Sequence, residues 1–63
     1  MMTRAYALLR LLSLGPMRWP ELVEVTGWPL DELRGLLDAG LASGAVRRIE
    51  IGRAGNTAYE AVQ

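Results

Sequence analysis

Five carboxylates stand within one short stretch: Glu21, Glu24, Asp31, Glu32 and Asp38. Paired carboxylates do general acid–base work when a cleft pushes their pKa values apart, and a chain of 63 residues offers no deep pocket for that. There is no histidine, cysteine or lysine, and the only serines are Ser13 and Ser43. No base stands ready to activate either hydroxyl. No cysteine- or histidine-based metal site can be assembled, and no disulfide can form. The residue types therefore point away from an enzyme, and no cofactor or metal is implied.

The remaining charges suit binding. All seven basic residues are arginine, a bias that a GC-rich coding genome explains. They are unevenly placed. Residues 1–18 hold Arg4, Arg10 and Arg18 without an acid, a net charge of +3. Residues 19–44 hold Arg34 against the five carboxylates, a net charge of −4. Residues 45–63 hold Arg47, Arg48 and Arg53 against Glu50 and Glu60, a net charge of +1.

These groups must be positioned by three helices and a hairpin. A first helix is expected over residues 4–14, with Thr3 as its N-cap and Gly15-Pro16 as its stop. Ala5, Leu8, Leu9 and Leu12 recur at helical spacing as its buried stripe. A second helix is expected over residues 20–26 and a third over residues 29–43. Each opens on a proline that follows a tryptophan, Trp19-Pro20 and Trp28-Pro29, and proline suits the first helical position because its missing N–H would be unpaired there. The second helix should bury Leu22, Val23 and Thr26; the third, Leu30, Leu33, Leu36, Leu37 and Leu41. Gly40 or Gly44 can end the third helix, and Gly44 is favoured because Leu41 continues the stripe. Between the two helices, Gly27 can take the positive φ that a sharp turn demands.

A hairpin is expected over residues 45–62. Ile49 and Ile51 alternate with Arg48 and Glu50, as in a half-buried strand. Residues 52–56, with two glycines and Asn56, form the turn. Tyr59 should pack across from Ile49 or Ile51. Asp31 and Glu32 fall in the first turn of the third helix, where negative charge complements the helix dipole by about 0.3–1 kcal/mol.

This order resembles the winged helix-turn-helix superfamily of small bacterial or phage DNA-binding regulators. The resemblance runs from Thr3 to Val62 and rests on Glu21-Leu22-Val23, Val25-Thr26-Gly27-Trp28, Leu33, Leu37 and Gly44-Ala45-Val46. It implies an α+β, mainly helical fold: a single three-helix winged helix-turn-helix domain over residues 1–63 with a C-terminal β-hairpin wing. In that family the second helix of the motif lies in the major groove and the hairpin touches adjacent backbone. Carried onto this chain, the reading positions are Pro29, Leu30, Asp31, Arg34, Gly35 and Asp38. Phosphate contacts come from Arg18, the N-terminus of the second helix, Arg47, Arg48 and Arg53. The implied function is transcription regulation by a homodimer on duplex DNA.

The charge map favours a second reading. The helix that should enter the groove is the acidic one, and phosphate neutralisation supplies most non-specific affinity. Aspartate does accept from the cytosine amino group. The same fold would also serve as a protein-interaction module, an adaptor or inhibitor presenting an acidic third helix to a basic partner. Ordinary pairing also accounts for several arginines: Arg48 with Glu60 across the hairpin, and Arg34 with Asp31 or Asp38 along its own helix. Arg53 has nothing acidic beside it in sequence. Leu11, Leu14, Met17 and Trp19 are expected to form an apolar patch for a dimer or partner contact, and Trp28 to seal the third helix against the second.

A chain this small buries only roughly 60% of its unfolded surface, so a well-packed core, a dimer or a partner must supply stability. The apolar run from Ala5 to Leu14 is interrupted by Arg10 and is shorter than the ~20 residues of a membrane span. It lacks a signal-peptide cleavage site, so a cytoplasmic, complete small protein is expected.

Overall fold

The computed structural model describes residues 3–52 and 56–62. Its order is α1 (Arg4–Ser13), β1 (Met17–Arg18), α2 (Trp19–Thr26), α3 (Leu30–Ser43), β2 (Val46–Glu50) and β3 (Thr57–Ala61). The class is α+β and mainly helical. The three strands form one antiparallel sheet in the order β1-β3-β2. The expected hairpin is therefore two-thirds of a sheet. Met17 pairs with Tyr59 and Arg18 with Ala58, which adds β1 to the free edge of β3. A two-residue strand is too short to show alternation, and its pairing lies about forty residues away in sequence.

The helix ends follow local chemistry. The Thr3 hydroxyl accepts from the Tyr6 N–H at 3.1 Å, capping α1. The Glu21 carboxylate reaches back to accept from the Arg18 N–H at 3.1 Å, so α2 begins at Trp19, one residue before Pro20. Pro29 stands as the N-cap of α3, and Leu30 is its first residue. Gly27 takes φ 64° and donates its N–H to the Val23 carbonyl at 3.1 Å. Thr26 completes that turn: its hydroxyl donates to the Leu22 carbonyl at 2.7 Å and accepts from the Trp28 N–H at 3.3 Å. Gly44, at φ 84°, ends α3 as expected.

The core is Leu8 and Leu12 of α1, Leu22 of α2, Leu33 and Leu37 of α3, Val46 of β2 and Tyr59 of β3. Each fully buried leucine contributes about 1.5–3 kcal/mol relative to exposure. Leu9, Leu36, Leu41, Val23 and Trp28 pack half-buried against this cluster. Two residues assigned to buried stripes are not buried. Ala5 is exposed, and Leu30 is 58% exposed. Both sit in the first turn of their helix.

The sheet faces also differ from expectation. Arg48 lies opposite Tyr59, and Ile49 lies opposite Ala58. Because side chains alternate between faces, Val46, Arg48, Met17 and Tyr59 share the helix-facing side. Ile49 and Ile51 are on the outer side. Val46, not the isoleucines, carries β2 into the core. Tyr59 therefore packs across from Arg48 rather than from Ile49 or Ile51. The alternation was legible in the residues, but a one-residue shift in register sends every side chain to the other face.

Candidate nucleic-acid interface

The exposed side of α3 carries Leu30, Asp31, Arg34, Gly35 and Asp38, all on the surface. These are five of the six positions expected to read a groove. Pro29, the sixth, caps the helix and is exposed too. Asp31, Gly35 and Asp38 lie away from the buried Leu33 and Leu37, with Arg34 at the edge, whereas Leu30 falls on the Leu33–Leu37 stripe yet is exposed in the first turn.

Two aromatic–arginine contacts brace this helix. Arg34 of α3 lies over the Trp19 ring at 4.4 Å from the centroid, and Asp38 stands 3.8 Å from its guanidinium one turn on. Arg4 of α1 lies over Trp28 at 5.4 Å and forms an ion pair with Glu32. Each tryptophan of the two Trp-Pro pairs thus receives an arginine from a different element. Such stacking is worth about 0.5–1 kcal/mol at exposed sites and more when desolvated. Sequence reasoning missed both contacts. The repeated Trp-Pro was their one visible trace. Of the partners weighed for Arg34, Asp38 is the one in place.

The residues expected to contact phosphate are less unified. Arg18 lies in β1 and is exposed, with its backbone N–H taken by Glu21. Arg47 is bound to Glu60 at 2.7 Å across β2 and β3. That corrects the pairing expected for Arg48: the register aligns Glu60 with Arg47. Arg48 is exposed and has no acidic partner among the described residues. Arg18 and Arg47 share the outer sheet side, whereas Arg48 is on the other, so the sheet arginines do not line one flat surface. Arg53 lies outside the described residues.

In the expected apolar patch, Leu11, Met17 and Trp19 are half-buried against the core. Leu14 stands out at 85% exposure. A surface hollow of about 330 Å³ lies between the end of α1 and β3, lined by Leu12, Ser13, Arg47 and Glu60 among others. Its two charged groups already satisfy each other. Among the described residues, no helix is long and apolar enough to cross a membrane. Compared with protein-family models, curated proteins and solved structures, the chain matches none of them.

Proposed function

We propose that this protein is a winged helix-turn-helix domain that binds duplex DNA, with α3 in the major groove, and regulates transcription as a homodimer. The observation that carries the reading is the element order. Two helices meet across the Gly27 turn, α3 keeps one side exposed, and a sheet that recruits β1 follows. In domains of this kind the second helix of the motif reads base edges while neighbouring segments hold the backbone. Arg18 and Arg48 supply cationic groups without carboxylate partners among the described residues. Arg47 becomes a third when a phosphate displaces Glu60.

The experiment is a fluorescence anisotropy titration with duplex DNA at two salt concentrations, beside a mass measurement in solution. Three phosphate contacts per protomer predict a log–log salt slope of about −2.7 for each protomer engaged, and about −5.4 for the homodimer. Absence of binding at low salt, or binding indifferent to salt, overturns the reading.

A specific observation favours the second reading, a protein-interaction module. Asp31, Glu32 and Asp38 are exposed on α3, and its one arginine is folded against Trp19 and Asp38. Such a helix would complement a basic protein surface. A pull-down from the native host that recovers nucleic acid but no stoichiometric protein defeats it.

A further inference from the structure

Arg34 is held on two sides although it lies at the surface. Its guanidinium stacks on the Trp19 ring at 4.4 Å, and the Asp38 carboxylate stands 3.8 Å away, beyond hydrogen-bond distance. The side chain is 48% exposed. The stacked face is covered, while the N–H edge has no hydrogen-bond acceptor among the described residues. A long arginine normally loses much rotamer freedom when it docks. Here that freedom is already restricted by the ring and the carboxylate, and a planar fork in a fixed plane suits a two-point acceptor.

The next residue adds an independent observation. α3 contains Gly35 and Gly40. Gly40 has a reason inside the fold, since a Cβ there would stand 2.7 Å from Val46 Cγ2. Gly35 has none among the described residues: a Cβ there would meet nothing of them within 4 Å. A mid-helix glycine weakens a helix, and nothing among the described residues packs into the space. What it leaves is bare backbone on the exposed side, directly beside Arg34.

We infer that Arg34 is the guanine-reading residue of α3, that Trp19 positions its guanidinium, and that Gly35 lets the groove edge come against the backbone beside it. Guanine is the base whose major-groove edge offers two adjacent acceptors, O6 and N7, to a guanidinium fork. The inference rests on the duplex-binding reading above and adds which base is read and by what device. Trp19 is a positioning residue: it acts through Arg34 and touches no base.

The test is selection of sites from a random duplex library with the full chain, followed by titration of single-base variants of the selected site. The wild type should select a guanine at one position of each half-site. Arg34→Lys should lose about tenfold or more of its guanine-over-adenine discrimination at that position alone, with other positions unchanged and the melting temperature lowered by no more than a few degrees. Trp19→Leu should lose the same discrimination, and Trp19→Phe, which keeps a ring, should retain most of it. Gly35→Ala should melt higher yet bind the selected duplex more weakly. Replacing that guanine by 7-deazaguanine, which removes N7, should weaken the wild type more than it weakens Arg34→Lys. Uniform weakening of Arg34→Lys on every sequence would make Arg34 a phosphate contact and overturn the inference. So would guanine discrimination that survives Arg34→Lys. If Trp19→Leu fails to fold, Trp19→Phe and the 7-deazaguanine duplex still decide. A wild type that binds no duplex refutes the function itself, whereas a wild type that binds without a responding guanine refutes only this inference.

Discussion

Gly40 of α3 lies against Val46 of β2 so closely that a Cβ on the glycine would stand 2.7 Å from Val46 Cγ2. The helix and the first strand after it are packed backbone to side chain, which anchors the end of α3 opposite its exposed N-terminal half. Overpacking of this kind costs about 1–3 kcal/mol, while alanine in place of a helical glycine returns about 1 kcal/mol. Gly40→Ala is therefore expected to lower stability by up to about 2 kcal/mol, read as a fall in the urea midpoint at unchanged slope. A rise would mean that Val46 moves aside freely.

Gly35→Ala should have the opposite sign. Nothing among the described residues opposes the new methyl, so the propensity gain of about 1 kcal/mol stands alone. For a domain this small that raises the melting temperature by about 4–8 °C. Two glycines five residues apart in one helix should thus respond in opposite directions, and thermal melts of both variants check it.

Leu37 is fully buried where α3 meets the rest of the core. Leu37→Ala should cost about 2–5 kcal/mol. A 63-residue chain holds roughly 3–9 kcal/mol in total, so the loss is a large share of it and the melting temperature should fall by at least about 8 °C. A far-UV circular dichroism melt reports it.

The Arg47–Glu60 pair is exposed on the arginine side, at 64%, and partly covered on the glutamate side, at 22%. A pair of this kind is worth about 0–1 kcal/mol. Glu60→Gln should leave the melting curve nearly unchanged while freeing Arg47. Under the duplex-binding reading, affinity rises at low salt and the gain fades as salt screens it. Unchanged affinity at low salt would remove Arg47 from the interface.

Asp31→Arg combined with Asp38→Arg reverses the charge of the exposed α3 side. Loss of the favourable charge in the first turn costs about 0.3–1 kcal/mol. Duplex binding should strengthen and its salt slope steepen by about 0.9 for each phosphate gained. A contact with a basic protein should disappear. Weaker duplex binding would instead mean that one of these aspartates accepts from a base.

The residues alone carried the local features: three helices, the Thr3 cap, the Gly27 elbow, the Gly44 stop and the leucines that became the core. Each rests on interactions within a few positions, which spacing and residue type reveal. Of the surface, the exposure of Asp31, Arg34, Gly35 and Asp38 was legible for the same reason, because Leu33 and Leu37 had to face inward. Only the tertiary structure decided that Met17-Arg18 pairs with β3, and that Val46 rather than Ile49 faces the helices. It alone set Arg47 against Glu60, Arg34 on Trp19 and Arg4 between Trp28 and Glu32. Those outcomes depend on strand register and on contacts between distant elements. A period of two or of 3.6 shows which side chains share a face, and packing alone chooses what that face meets.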